Sequence, residues 1–125
     1  LGSTVVFADT IGVAERDEIE MAAELAREYQ LTSALHLHHN EGEEQLALDR
    51  VRYGIFAGIT QFDSSIGGLG GCPFVKGSGG NLATESLVKF LTEHGFDIGV
   101  TLDDLSGALV WADKVKQIQA QELVA

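Results

Sequence analysis

The chain has 125 residues, enough for one domain with a modest core. Hydrophobic residues make up 45% and charged residues 22%, a soluble globular balance, and no apolar run approaches the length of a membrane span. With 19 acidic residues against 8 basic ones the formal net charge is -11, which argues against nucleic-acid binding, a function that needs a basic patch to displace counterions from phosphate.

In chain order, Thr4-Val5-Val6-Phe7-Ala8 is a short β-branched and apolar run ending at Asp9, the pattern of a buried parallel strand. Ala14 to Tyr29 reads as a helix, with Ile19, Ala22, Ala23 and Ala26 on one face. Its acidic residues, among them Glu15, Asp17, Glu18, Glu20 and Glu24, read as a solvated face. Ser33 to His38 is a second strand. Glu43 to Ala57 is a second helix, with Ala47, Val51 and Ile55 spaced at i, i+4 and i+8. Ile59 to Ser65 is a third strand. The segment from Gly67 to Gly80 holds seven glycines in fourteen residues and is expected to lack regular structure. Asn81 then opens a helix running through Glu93, and Thr101 with Asp104 forms a capping-box variant ahead of a last helix striped by Leu105, Leu109, Ala112 and Val115. Strands alternating with helices imply a parallel sheet with helical crossovers, which suits a TIM barrel or a doubly wound sheet.

Three strand ends carry polar groups: Asp9-Thr10, His36-Leu37-His38 and Asp63-Ser64-Ser65. Parallel α/β proteins build their active sites at the C-terminal ends of strands. His36 and His38 are two apart, so on a strand they share a face, about 6–7 Å apart, and can converge on one metal ion. The plain alternative is one buried, hydrogen-bonded histidine and one exposed. His39 points to the opposite face, and His94 suits a helix C-terminus. Asn81 offers a carbonyl oxygen to a hard cation, but asparagine is also a favoured helix N-cap. Cys72 is the only cysteine, so no intramolecular disulfide can form, which suits a reducing cytoplasm. A lone cysteine is ordinarily a small buried hydrophobe. Between Gly71 and Pro73, in a backbone-rich loop, it could instead be exposed and serve as a proton donor or acceptor. The loop lacks the ending of a P-loop and does not match the dinucleotide-binding fingerprint.

Together "ADTIG", "HLHHN", "FDSSIGGLGGCPF", "KGSGGNLATE" and "GFDIGVTLDDL" resemble, in order, the last three βα units of 3-hydroxy-3-methylglutaryl-CoA lyases. The resemblance implies an incomplete TIM (β/α)8 barrel over residues 1–125, made of about the last three βα units plus a C-terminal helix. It implies a divalent cation, Mg²⁺ or Mn²⁺, held by His36, His38 and Asn81 together with a first-strand aspartate. It implies that Cys72 is the catalytic proton donor and that Asp9 lies near the reacting hydroxyl. The implied reaction is retro-aldol cleavage of a 3-hydroxy-3-methylglutaryl-CoA-like acyl-CoA to acetyl-CoA plus an oxoacid, in the cytoplasm.

Two departures from the family pattern stand out. Lyases carry Asp-Thr after the H-x-H pair where this chain has His39-Asn40, as in 4-hydroxy-2-oxoacid aldolases. Those aldolases lack the "GGCPF" loop. The Asp-Arg signature of the first barrel strand is not in this sequence, so the chain alone is expected to be inactive: a silent fragment or partner subunit, associating with itself or with the missing N-terminal part of the barrel. An uncovered parallel sheet leaves open edges that favour such association.

Overall fold

The computed structural model describes residues 2–71 and 77–124. Strands β1 (Thr4–Asp9), β2 (Thr32–Asn40) and β3 (Gln61–Asp63) form a parallel sheet in that order, so β2 is central. Helix α1 (Arg16–Glu28) crosses from β1 to β2, and α2 (Glu44–Phe56) from β2 to β3. This is the α/β arrangement that the alternation of patterns predicts. β1 departs from expectation in one respect. It is an edge strand with one face uncovered, and Val6 is 51% exposed. The apolar run at Thr4 to Ala8 therefore exceeds what its own neighbours bury.

Period-two alternation along β2 sorts its side chains. Leu35 and Leu37 go to the helix side and are almost fully buried, beside Ile19 and Ala23 of α1 and Ala47 and Val51 of α2. His36 and His38 go to the other face. Burying a leucine such as Leu37 contributes about 1.5–3 kcal/mol, so the register that hides the leucines also fixes where the histidines point.

Helix ends follow local chemistry. At the start of α1 the Glu15 N–H donates to the Glu18 carboxylate at 2.8 Å, half of a capping box. α2 stops at Gly58, whose φ of 89° suits glycine. There Gly58 N donates to Ile55 O and Ile59 N to Gly54 O, the paired bonds of a Schellman ending.

The glycine-rich segment differs from expectation. Ser78–Asn81 forms a fourth strand, β4, antiparallel to the C-terminal end of β2, with His38 opposite Asn81 and His39 opposite Gly80. Glycine here serves close approach. A Cβ on Gly80 would stand 2.7 Å from the Gly68 carbonyl oxygen and 2.9 Å from that of Gly70. Asn81 accordingly ends a strand and does not open a helix. Helix α3 begins at Thr84, with Ala83 at its N-cap, and runs to Glu93. Just before α3, Leu82 donates to Leu37 O and accepts from Ser65 N, tying the segment to both β2 and the end of β3.

His94 closes α3, its Nδ1 bonded to Phe90 O at 2.7 Å. The Thr101–Asp104 pair forms as the sequence suggests. Thr101 N and Oγ1 both donate to Asp104 Oδ2, and Asp104 N donates to Thr101 Oγ1. A 3-10 turn follows, and α4 (Ser106–Val124) extends from it. Of the expected stripe only Ala112 is buried, against the turn at Gly67, and Val115 is exposed. Among the described residues no helix is long and apolar enough to cross a membrane.

Candidate metal centre at the strand ends

The imidazoles of His36 and His38 stand together on the face opposite the helices. Their ring centroids are 4.7 Å apart and their planes meet at 81°. Each ring has its Nδ1 engaged by a different neighbouring strand. His38 Nδ1 lies 3.1 Å from the Asp9 carbonyl oxygen of β1. His36 Nδ1 lies 2.5 Å from Asp63 Oδ1 of β3, its direct register partner. In a neutral ring an oxygen acceptor at Nδ1 holds the proton there, and the Nε2 lone pair is then available to a cation.

Asn81 joins them by pairing. It stands opposite His38 across the β2–β4 ladder, where facing side chains lie on the same side of the sheet. Its amide is fixed end for end, because Nδ2 donates to Leu69 O at 2.9 Å. Gly70 makes room for this, since a Cβ there would sit 2.8 Å from Nδ2. Among the described residues, Oδ1 is left buried with no hydrogen-bond partner. A buried unsatisfied acceptor costs about 1–3 kcal/mol, so its retention needs an explanation. Two imidazole nitrogens and an amide oxygen are donors that a divalent cation accepts, and a cation would satisfy the orphaned oxygen. Among the described residues no group of three or more His, Cys, Asp or Glu side chains could hold a metal, so the amide is needed to complete a third position.

Asp9 serves a different set of partners. Its carboxylate accepts from Val13 N at 2.9 Å and Ala14 N at 3.1 Å, and lies 3.3 Å from Arg50 Nε. The Asp9 and Arg50 side chains are 7% and 10% exposed. Arg50 Nε also donates to Ala14 O at 2.9 Å. The carboxylate expected near the reacting hydroxyl is thus occupied by the loop that follows β1, while the Asp9 carbonyl meets His38. His39 turns away from the pair, its Nδ1 on the Asn40 carbonyl at 2.9 Å. Cys72 lies outside the described residues.

Two residues that hold this arrangement escaped the sequence reading. Asp63 was visible only as a polar strand end, because its pairing with His36 depends on register. Arg50 carried a signal: it falls on the buried face of α2 marked by Ala47, Val51 and Gly54, where an arginine needs an acidic partner.

A hydroxymethylglutaryl-CoA lyase of Bacillus subtilis is 40% identical over 114 residues, which is 90% of this chain and 37% of that protein. The solved HMG-CoA lyase of Brucella melitensis superposes with a TM-score of 0.77 at 38% identity, over 91% of this chain and 40% of that one. The chain is homologous to a portion of the hydroxymethylglutaryl-CoA lyases. An HMG-CoA lyase from Acinetobacter baumannii, solved in complex with coenzyme A and 3-methylmalate, matches 80% of this chain at 33% identity with a TM-score of 0.67. No family model matches. The chain spans about a third of the length of the curated lyases it matches.

Proposed function

We propose that residues 1–125 form about the last three βα units and the C-terminal helix of a TIM-barrel lyase, and that they supply its metal-binding strand ends. The observation that carries this is the buried Asn81 Oδ1, without a partner among the described residues, beside two imidazoles whose Nδ1 atoms are already engaged. His36 and His38 would hold Mg²⁺ or Mn²⁺ through Nε2, and Asn81 through Oδ1. Bound there, the cation would supply Lewis acidity, stabilising the alkoxide that develops from a substrate hydroxyl.

The Asp9 carbonyl fixes the orientation of the His38 ring, and Arg50 holds the Asp9 loop. The geometry of Asp9 favours this positioning role over that of a base, since its carboxylate already has three partners. Cleavage in the retro-aldol sense passes the hydroxyl proton to a general base, which the rest of the barrel would supply, and releases the thioester fragment as an enolate that must be protonated at carbon. Cys72 is the proposed donor, because a thiol with its ordinary pKa near 8.5 is largely protonated at pH 7. The substrate class is a branched 3-hydroxy-acyl-CoA. Coenzyme A in the Acinetobacter relative supports the acyl-CoA part of that reading. We place the activity in the complete barrel and not in this chain by itself. Relatives named as cytoplasmic and as mitochondrial both occur, and the cytoplasm is our proposal for this one.

The His39-Asn40 pair favours a second reading, a 4-hydroxy-2-oxoacid aldolase. The test is acetoacetate release from 3-hydroxy-3-methylglutaryl-CoA by the full-length protein, with and without Mn²⁺. Cys72→Ser should lower Mn²⁺-dependent turnover by about 10²–10⁴-fold, the usual scale for a general acid, with Mn²⁺ affinity unchanged. Near-normal turnover in that variant would remove Cys72 as donor. Activity on 4-hydroxy-2-oxoacids alone would establish the aldolase instead.

A further inference from the structure

Resting on the metal reading above, we propose that Asp63 is a positioning residue for His36, fixing the tautomer and orientation of its ring and making its Nε2 a stronger donor. The two imidazoles of β2 are held by unlike acceptors. His38 leans on a neutral carbonyl, that of Asp9, whereas His36 leans on a carboxylate. Either acceptor fixes the tautomer. Only the carboxylate also makes the ring a stronger donor and offsets positive charge at Nε2. The donors that these strand ends supply are two imidazoles and an amide, none of them a carboxylate. Among the described residues Asp63 is the one acidic side chain paired with either imidazole.

Stability does not account for the pair. The Asp63 side chain is 54% exposed and that of His36 32% exposed. Ion pairs this open to water contribute little to folding. The placement is nevertheless specified, because His36 and Asp63 are register partners in adjacent parallel strands. β3 is only three residues long, and Asp63 is its last. The strand therefore ends on the residue that meets the histidine.

The test uses the full-length protein and Mn²⁺ as the probe, with binding followed by the loss of the free-ion electron paramagnetic resonance signal. Asp63→Ala should weaken Mn²⁺ binding by about 10–100-fold, the scale for losing an outer partner of a ligating histidine. In a His36→Ala background the same substitution should change the affinity less than about twofold, because the effect runs through that ring. A readout without metal accompanies this. Nitrogen-15 NMR of neutral His36 should show the proton on Nδ1 in the wild type and a shift towards the Nε2–H form in Asp63→Ala. Affinity unmoved by Asp63→Ala, or reduced equally without His36, would overturn the proposal while leaving the metal reading intact. So would a wild-type His36 protonated at Nε2. A wild-type protein that takes up no Mn²⁺ would overturn the metal reading, and this proposal with it.

Discussion

Replacing Asp9 by asparagine separates a structural carboxylate from a catalytic one. Asp9 accepts two backbone N–H bonds and pairs with Arg50, and both side chains are at least nine-tenths buried. Asparagine keeps one acceptor oxygen but turns an N–H group towards Ala14 N or the guanidinium, so donors face donors. It also leaves Arg50 buried without its counter-charge. Removing one partner of a buried pair costs about 3–5 kcal/mol. For a chain of 125 residues this corresponds to a fall in Tm of roughly 10–20 °C. The assay is thermal melting by circular dichroism, with amide exchange at Val13 and Ala14 as a local probe. Both amides should exchange faster, because their acceptor is lost. Arg50→Met should be destabilising in the same direction. The double variant should cost less than the two single costs together, since the second change removes the charge stranded by the first. If Asp9→Asn melts within a few degrees of the wild type while turnover of the full-length protein collapses, the network reading is wrong, and Asp9 returns as the carboxylate near the reacting hydroxyl that the family resemblance implied.

Other outcomes follow from single contacts. Gly54 lets α2 sit close to the sheet, since a Cβ there would lie 2.8 Å from Leu35 Cδ1 and 3.0 Å from Phe62 Cε1. Gly54→Val should therefore cost about 1–3 kcal/mol by overpacking, measured by urea denaturation. Gly80→Ala should displace the Gly68–Gly70 loop from β4 and weaken Mn²⁺ binding, because Asn81 is the next residue; calorimetric titration of Mn²⁺ reads this out, and unchanged affinity would detach that loop from the site. Asp104 accepts from Thr101 N and Oγ1, bonds that hold its carboxyl below the usual carboxylate range. A depressed folded pKa means that its contribution is present above the unfolded value and is lost as pH falls through the folded one. NMR titration of Asp104 should show the depression, and Thr101→Val, which removes the hydroxyl donor, should reduce it.

The fold was legible where pattern and local chemistry agree. Leu35 and Leu37 alternating with His36 and His38 declared a strand with two unlike faces. Ile19, Ala22, Ala23 and Ala26 declared a helix face; Ala22 is half-buried and the other three are buried. The strand at the end of the Gly67 to Gly80 segment was missed because glycine carries no pattern of its own. What makes Ser78–Asn81 a strand is the free edge of β2 beyond His36, a tertiary partner that no local window contains. The same limit hid Asp63, whose meaning depends on register. It also led the N-cap reading of Asn81 astray, since the residue's neighbour in space is His38 rather than the first turn of α3.

The departure at His39-Asn40 bears on support and not on the donor set. Alternation sends His39 to the face opposite His36 and His38. Its ring occupies the space beside Gly79 that a Cβ would need: such an atom would stand 2.5 Å from His39 Nδ1. The β2–β4 register shifts between His39 and Asn40, and Asn40 Nδ2 donates to Glu43 at 2.9 Å, just before α2. The two residues therefore seat the glycine-rich strand, and Asn81 lies at the end of that strand. A change here can move the amide oxygen relative to the imidazoles without altering any of the three donors. Substitution of His39-Asn40 by Asp-Thr should therefore leave the His36–Asp63 and His38–Asp9 contacts in place. Its effect belongs with β4: the position of Asn81 and the setting of the glycine loops on either side of it.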